Sequence, residues 1–454
     1  MEASSVFDTI ASSKCELGLD DEDVGVSDST SKSPTHHFFQ KIWQQQPSIF
    51  HCGEQPSISL NWDDIADLLH YCRNDESTEP PLFFQNGAPI TDPHTLYSNN
   101  PHAAYLDGCS IIINHADFHH EKIAKLCINL QQTFPHVYAN AYLTPAGSHA
   151  VKAHADDRDV LVIQVKGKKK WRVYKQVPIQ YPHTNEQVGK NGRIVDSSVL
   201  NGGLCFGNKE IILEEGDVLY LPRGYVHEAS CGDSSPSFHL TCALATHDWC
   251  MSVLLTETIR QTLDSESSDF RKALPIGPCD EYESSSSDMS LTQQLDEAMA
   301  IIQSKITALK LEQNLRAKYE IHNAQANEQR NKLITENQSK KRKATNEIVG
   351  PDATSRLTLE SSIRVSTPEE RESVPIEEGR LRGLTVREET MSILMIMLTK
   401  LKSDPGLIVV VKDMFDLVDT ADSSEKETEL VCDFTLLSFA RCCVELGAIS
   451  ITST

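Results

Sequence analysis

Residues 140–174 read NAYLTPAGSHAVKAHADDRDVLVIQVKGKKKWRVY, and the prediction of the fold starts from this stretch. Within it, His154-Ala155-Asp156 places one imidazole and one carboxylate two residues apart. Side chains at positions i and i+2 of a β-strand point to the same face of the sheet. If this segment is a strand, the two groups converge, and the pattern predicts two ligands of one metal ion.

A third ligand is expected from a later strand, and His227 is the candidate. It ends the segment GDVLYLPRGYVH (residues 216–227), which is typical of a strand, a Pro-Gly turn and a second strand. His227 follows Asp156 by 71 residues (227 − 156), a distance that can return the chain to a neighbouring strand. Two histidines and one carboxylate are typical of non-haem Fe(II) oxygenases. A lone histidine among 17 is ordinarily a surface or core residue, so the prediction depends on both patterns together.

Other acidic and histidine side chains compete for the same assignment. Asp157 also follows His154, but on a strand it points to the opposite face, so Asp156 is preferred. The run His115-x-x-x-His119-His120 would place two imidazoles on one helix face. Its polar flanks indicate a loop after a strand instead, which leaves these histidines with ordinary structural roles.

The composition places the chain among globular proteins of a reducing compartment. The formal net charge of −23 favours solubility and basic partners over direct nucleic-acid binding. The acidic residues are unevenly distributed along the chain. Residues 1–32 carry 8 acidic and 2 basic side chains, whereas residues 137–244 carry 11 acidic and 12 basic side chains. The 13 cysteines show no C-x-x-C spacing, which argues against a disulfide framework and a structural zinc site. We expect no signal peptide and no membrane-spanning helix.

Short strand-like runs separated by Gly and Pro turns follow from residue 137. They are Val137–Leu143, Asp159–Lys166, Trp171–Tyr174, Glu210–Leu213, Asp217–Leu221, Tyr225–Ser230 and Phe238–Ala243. This pattern predicts a mainly β core with flanking helices, a double-stranded β-helix of the cupin jelly-roll type. Residues 291–337 instead have helical periodicity without Gly or Pro, and they are too polar for a buried helix. We expect exposed helices there that pair with another subunit.

The basic run Lys166-Gly167-Lys168-Lys169-Lys170 has two interpretations. Such a run is usually a solvated turn, but a dicarboxylate co-substrate needs a fixed cation at its far end, which a lysine suits. Alternation from Asp159 does not choose among the lysines, because the Gly167 turn interrupts the period.

Four motifs, NAYLTP, AHADD, VIQVKGKKKWRVY and GDVLYLPRGYVH, closely resemble the JmjC-type ribosomal oxygenase family. Its members are Fe(II)- and 2-oxoglutarate-dependent protein hydroxylases, also described as bifunctional lysine-specific demethylases and histidyl-hydroxylases. The resemblance runs from about residue 38 to residue 263. It implies Fe(II), 2-oxoglutarate and O2 as the cofactor and co-substrates. By position and pattern, it also implies a helical dimerisation region and a winged-helix-like C-terminal domain.

At the positions that match the motifs of this family, the resemblance implies a role for seven side chains. His154, Asp156 and His227 would bind iron and form the catalytic centre. Lys169 would hold the distal carboxylate of 2-oxoglutarate, and the pocket around it would be lined by Asn140, Tyr142 and Thr241. The chain departs from the family at Ala153, Ala155 and Ala243, where the family often has proline, an aromatic residue and serine.

Composition, helical periodicity and the resemblance together set the predicted domain limits. They are 1–34 (disordered and acidic), 35–265 (JmjC/cupin catalytic domain), 266–290 (Ser-rich linker), 291–338 (helical dimerisation region), 339–380 (basic, then acidic linker) and 381–454 (winged-helix-like domain).

The activity that the resemblance implies is hydroxylation of a histidyl residue of a ribosomal protein. Histone lysine demethylation is the first alternative, and a catalytically silent cupin scaffold is the second. A homodimer in the nucleus, in particular the nucleolus, with a role in chromatin and transcription regulation follows from the same resemblance. The basic run Lys340–Lys343 is consistent with a nuclear signal. Membrane association and sequence-specific nucleic-acid binding are not expected.

Overall fold

The structure of the chain is a computed structural model. The structure describes residues 6–19, 33–53, 57–74, 79–85, 87–90, 100–148, 152–190, 192–232, 235–244, 247–272, 291–343, 357–366, 388–418, 431–445 and 448–452. Most of the predicted Ser-rich linker, and much of the linker over 339–380, lies outside these residues. Among the described helices, none is both long and apolar enough to span a membrane.

The described strands form three antiparallel sheets. In chain order they are β1 (Lys14–Leu17), β2 (Ser48–His51), β3 (Leu82–Gln85), β4 (Ala88–Pro89), β5 (Ser110–Ile113), β6 (Val137–Thr144), β7 (Asp159–Lys166), β8 (Lys169–Val173), β9 (Ile211–Leu213), β10 (Asp217–Leu221), β11 (His227–Cys231), β12 (Ser237–Leu244), β13 (Ser362–Val365), β14 (Val409–Val410) and β15 (Ile449–Ile451). The large sheet has the order β1-β2-β10-β7-β12-β6-β5-β3-β4, and the small sheets have the orders β11-β8-β9 and β14-β13-β15.

Strand β7 explains how the two sheets of the jelly roll pack. Its residues are apolar on both faces, as in a strand covered on both sides. Val160 and Val162 join a core cluster with Trp171 and Val173 of the small sheet β11-β8-β9. The alternate residues of β7 belong instead to the cluster that the flanking helices share. The predicted jelly-roll core with flanking helices is therefore confirmed, with the metal-ligand candidates near one end of the small sheet.

The N-terminal segment differs from the prediction. We expected disorder over residues 1–34, but residues 6–19 include a helix and the strand β1, which pairs with β2. Phe7 is fully buried, and its ring lies 4.8 Å from the rings of both Phe38 and Phe134. Burying an aromatic side chain stabilises a fold by about 1.5–3 kcal/mol, which outweighs the polar composition around it. The expectation is wrong for residues 6–19, and residues 20–32 lie outside the described part of the chain.

One of the described α-helices is much longer than the others. The described helices are α1 (Val6–Ala11), α2 (Pro34–Lys41), α3 (Trp62–Asn74), α4 (Pro101–Leu106), α5 (Glu121–Leu130), α6 (Ser197–Asn201), α7 (Cys205–Asn208), α8 (Met251–Glu266), α9 (Leu291–Lys305), α10 (Ala308–Lys343), α11 (Glu388–Ser403) and α12 (Asp433–Glu445). Two compact units result: residues 1–244 with 329–454, and residues 245–328. The second unit contains α8, α9 and most of α10. The limits predicted for the individual domains, and their dimerisation and winged-helix assignments, stay predictions.

Within the first unit, two buried arginines tie later segments to the core. Arg441 of α12 is fully buried and donates to the carbonyl oxygens of Ala66 and Leu357. Arg330 of α10 is fully buried against Asp117, with an Nη2–Oδ2 distance of 2.7 Å. Because a long polar helix is normally solvated, the burial of Arg330 was not expected from the sequence.

Candidate metal centre

Strand β6 presents two of the predicted pocket residues to one face. Val137, Ala139 and Ala141 are buried in the core, whereas the alternate side chains Asn140 and Tyr142 are half-buried. The register between β6 and β12 places Asn140 opposite Thr241 and Tyr142 opposite His239. Directly opposite residues of an antiparallel pair lie side by side on one face. The sheet therefore brings these four side chains together, and all four line one cavity of about 300 Å³.

His154, Asp156 and His227 converge on the same cavity. One ligand atom from each lies within 4.8 Å of the other two. The Asp156 carboxylate lies between the imidazoles: Oδ1 is 3.9 Å from His154 Nε2, and Oδ2 is 3.6 Å from His227 Nε2. No other group of three or more potential metal-ligating side chains is found in the described part of the chain.

The backbone route to this convergence differs from the predicted strand. His154 forms a single antiparallel bridge with His227, and Asp156 is not in a strand. The bridge consists of two backbone hydrogen bonds of 3.0 and 2.8 Å between these histidines. The Gly224 N–H donates to the Asp156 carbonyl over 3.0 Å and fixes the carboxylate-bearing residue. The assumption of a regular strand is therefore wrong at Asp156, although the three side chains do meet.

Backbone carbonyls determine which imidazole nitrogen faces the cavity. His154 Nδ1 lies 2.8 Å from the Lys152 oxygen, and His227 Nδ1 lies 3.1 Å from the Tyr225 oxygen. A carbonyl oxygen accepts and does not donate, so Nδ1 carries the proton in both rings. The Nε2 lone pairs are then directed toward Asp156. This is the usual way in which histidines are oriented as metal ligands.

The protonation states also suit a divalent cation. Burial lowers the pKa of His154 to about 3, and the pKa of His227 is lowered by burial as well. Burial alone would raise the pKa of Asp156, but Lys190 and the two histidines together hold it below its usual range. At neutral pH the cluster therefore presents two neutral imidazoles and one carboxylate. Metal binding requires these states because the ligands must be deprotonated.

Lys169 is the lysine of the basic run that enters the cavity. Strand β8 alternates buried and exposed residues from Lys169 onward, and Lys169 itself is 1% exposed. Its Nζ lies 2.9 Å from Thr144 Oγ1 and 3.4 Å from His239 Nδ1. Burial lowers the pKa of Lys169 to about 8, so it is largely protonated at neutral pH. Lys166, Lys168 and Lys170 instead lie at the surface or edge and pair with glutamates.

The competing acidic and histidine side chains have structural roles. Asp157 is buried and accepts hydrogen bonds from Thr184 and Gln187, while also pairing with Arg158. His115 lies in the turn after β5 and stacks on Phe118 with a centroid distance of 5.2 Å. These contacts agree with the loop assignment made from the sequence.

Three further cavity residues were missed by sequence reasoning. His239 stacks on Tyr142 with ring centroids 4.7 Å apart, and Trp171 lies edge-on to His239 at 5.5 Å. Both are two residues away from a predicted site residue on the same strand face, so the strand period could have identified them. Lys190 also lines the cavity, with its Nζ 2.5 Å from Asp156 Oδ1. It lies in a loop where no periodic signal exists.

A comparison with known protein families matches the part of the chain that contains the jelly roll and the cluster. Residues 112–251, which include β6 to β12 and all seven predicted site residues, match the family model described as the JmjC domain. Residues 112–251 are thus similar to a JmjC domain, which agrees with the antiparallel jelly roll derived above from packing.

Part of the chain is also similar to curated proteins. The chain is 33% identical over 185 residues to a protein named bifunctional lysine-specific demethylase and histidyl-hydroxylase NO66 from Drosophila persimilis, covering 38% of this chain and 24% of that protein. It is 34% identical over 176 residues to the protein of the same name from Dictyostelium discoideum, covering 38% and 32%. It is 26% identical over 260 residues to ribosomal oxygenase 1 from Danio rerio, covering 53% and 44%. The matches thus span less than half the length of these relatives.

Proposed function

We propose that the chain is an Fe(II)- and 2-oxoglutarate-dependent oxygenase that hydroxylates a histidyl residue of a ribosomal protein. The observation that carries the proposal is the convergence of His154, Asp156 and His227 in a segment that is similar to a JmjC domain. Two imidazole nitrogens and one carboxylate are the donor set of non-haem iron oxygenases, and they leave coordination positions for other ligands. The names of the relatives from Drosophila persimilis and Danio rerio support the hydroxylase and ribosomal parts of the proposal.

In this proposal the three ligand residues hold iron, which supplies O2 activation coupled to the conversion of 2-oxoglutarate to succinate and CO2. The protein contributes geometry and electrostatics around that chemistry. In this proposal the Lys169 ammonium binds the distal carboxylate of 2-oxoglutarate. The Thr144 hydroxyl, which accepts a hydrogen bond from this ammonium, lies beside the same position. Thr241, Asn140 and Tyr142 line the co-substrate and substrate space. Apolar side chains of the cavity, such as Val160 and Val162, exclude water from it.

The test is a turnover assay followed by mass spectrometry. Purified protein with Fe(II), ascorbate and 2-oxoglutarate is incubated with ribosomal proteins, and succinate is measured. The proposal expects succinate formation together with a gain of one oxygen on a histidine. The variants His154→Ala and His227→Ala should abolish both signals. Failure to form succinate with any ribosomal or nuclear extract would instead favour the catalytically silent scaffold.

Histone lysine demethylation is the second candidate, because the names of several relatives include the term lysine-specific demethylase. The same site would serve both reactions, since hydroxylation of an N-methyl group differs only in the carbon that is oxidised. Demethylation releases formaldehyde from a methylated histone peptide, whereas histidine hydroxylation retains the oxygen on the product. Formaldehyde release without a stable mass gain on histidine would favour this second candidate.

A homodimer formed through the helical region is part of the proposal. In residues 245–328, large apolar side chains are exposed on α9 and α10, among them Leu295 at 58%, Met299 at 52% and Leu309 at 64%. Apolar exposure on neighbouring helices is typical of an interface. Light scattering should give twice the chain mass of 50.6 kDa. The double variant Leu295→Glu with Met299→Glu should give a monomer, and a monomeric parent protein would refute the dimer.

We further propose a nuclear, in particular nucleolar, location, with a role in chromatin and transcription regulation. The basic run Lys340–Lys343, at the end of α10, supports import into the nucleus. A fluorescent fusion should concentrate in the nucleolus. Replacement of the four basic residues by glutamine should shift it to the cytoplasm if this run is the signal.

A further inference from the structure

The loop residues 187–190 lie directly on the segment that carries the metal-ligand candidates. The Ala155 N–H donates to the Val188 oxygen over 3.0 Å, and the Gly189 N–H donates to Arg193 over 2.8 Å. Gly189 has a φ of +75°, and a Cβ on it would lie 2.3 Å from the Ala153 oxygen. Only glycine combines this backbone conformation with such a close approach. The loop is therefore held in place beside the ligand segment rather than lying loosely across it.

The next residue of this loop, Lys190, reaches the candidate metal centre. Its Nζ lies 2.5 Å from Asp156 Oδ1, whereas the other carboxylate oxygen faces His227 Nε2 at 3.6 Å. The side chain of Lys190 is 33% exposed and that of Asp156 is 19% exposed, so solvent only partly screens the pair. Lys190 thus adds a positive charge next to the single carboxylate of the centre.

We propose that Lys190 sets the charge of the metal centre and so changes its affinities for the cation and for the co-substrate in opposite directions. Its ammonium lowers the affinity of the protein for a bare divalent cation and raises the affinity of the metal-loaded protein for a dianionic carboxylate. This inference rests on the proposed function, because it assumes that a metal and 2-oxoglutarate share this site. No sequence motif assigns a role to Lys190.

The two opposite effects follow from the signs of the charges. With neutral imidazoles, the donor set carries one negative charge, and the Lys190 ammonium cancels it. A divalent cation is repelled by the ammonium, whereas a dianion that binds beside the metal is attracted by it. A doubly charged ion about 5 Å from the ammonium changes its affinity by roughly tenfold, even at an effective dielectric constant near that of water. Partial burial of the pair increases this effect. An orienting hydrogen bond alone would not have this signature, since its loss weakens metal binding.

The experiment is a pair of calorimetric titrations on the whole 454-residue chain. Co(II) is titrated first into the metal-free protein, and 2-oxoglutarate is then titrated into the Co(II)-loaded protein without O2. The variant is Lys190→Met, which keeps the chain length of the side chain and removes its charge. Lys190→Arg keeps the charge at the same place. Lys209→Met is the matched control, because Lys209 is exposed and does not line the cavity.

For Lys190→Met we expect the dissociation constant of Co(II) to fall about tenfold and that of 2-oxoglutarate to rise about tenfold. Lys190→Arg should stay near the wild type for both ligands, and so should Lys209→Met. Weaker Co(II) binding by Lys190→Met, or no change in either constant, would overturn the inference while leaving the metal centre in place. Failure of the wild-type protein to bind Co(II) at all would overturn the proposed function together with the inference.

Discussion

The substitution Lys169→Met is expected to stabilise the protein while it damages co-substrate binding. Burial lowers the pKa of Lys169 from its ordinary value of 10.5 to about 8. One pKa unit corresponds to 1.36 kcal/mol, so holding this charge in the cavity costs roughly 3 kcal/mol at neutral pH. Methionine has a similar length and carries no charge. The variant should therefore exceed the wild type in free energy of unfolding by roughly 3 kcal/mol at pH 7.

The sign of the pH dependence follows from proton binding in the two states. Between pH 8 and 10.5 the unfolded chain keeps the Lys169 proton, whereas the folded protein loses it. Wild-type stability therefore rises with pH in this window, and below about pH 8 the full cost of the buried charge is present. The advantage of Lys169→Met should thus fall from roughly 3 kcal/mol at pH 7 to roughly half of that or less at pH 9.5.

Urea denaturation followed by tryptophan fluorescence at both pH values measures this difference. Lys168→Met is the control, because Lys168 is exposed and pairs with Glu214 at the surface. It should change stability little, and equally at both pH values. A Lys169→Met variant that is no more stable than the wild type, with parallel pH profiles, would refute the assignment of a buried ammonium group to this cavity.

The same variant tests the role of Lys169 in the proposed reaction. Removing one partner of a buried charge pair costs about 2–5 kcal/mol, which corresponds to at least about a thirtyfold rise in the 2-oxoglutarate concentration needed for half-maximal turnover. Lys168→Met and Lys170→Met should leave that concentration near the wild-type value. If either of them has the larger effect, the co-substrate anchor is assigned to the wrong lysine.

Three further predictions follow from the site and its supports. His154→Ala and His227→Ala should abolish turnover and Co(II) binding with an unchanged circular dichroism spectrum; residual activity would contradict the assigned triad. Asp117→Asn should lower the free energy of unfolding by about 3–5 kcal/mol in urea denaturation, because it removes the carboxylate that pairs with the fully buried Arg330. An unchanged free energy of unfolding would mean that this pair does not stabilise this part of α10. Gly189→Ala should weaken Co(II) binding by about tenfold or more, since the added Cβ displaces the backbone beside the ligand residues; unchanged affinity would show that the loop does not support the centre.

Sequence patterns predicted the strands well because short-range alternation and turns define them. Strands β7 and β10 have the predicted limits, Asp159–Lys166 and Asp217–Leu221. Side-chain alternation could not identify the lysine that enters the cavity, because Gly167, with a φ of +65°, interrupts the strand. Strand β8 then begins at Lys169, which fixes the inward face. A one-residue shift of this start would have placed Lys168 or Lys170 inside.

The features that the sequence did not predict are long-range contacts without a periodic signal. Phe7 is buried because three aromatic rings from distant segments meet, although the flanking composition is acidic and polar. Arg330 is fully buried in an otherwise polar helix, where it pairs with Asp117 and donates to the Val137 oxygen. Lys190 reaches Asp156 from a loop 34 residues away in sequence. In each case tertiary contacts determine the position of a single side chain. Residue patterns along the sequence do not contain this information.

The charges of the cavity account for the kind of ligand that it selects. Its lining includes one carboxylate, Asp156, and two ammonium groups, Lys169 and Lys190, whereas burial keeps the lining histidines neutral. The formal charge of the described lining is therefore +1, in a chain whose net charge is −23. A divalent cation at the triad would raise the positive charge further, and only an anionic ligand would offset it. A cavity of about 300 Å³ admits a small dianion together with one substrate side chain rather than a folded segment. If the proposed function is correct, we therefore expect the substrate histidine to lie in a flexible or protruding part of its protein.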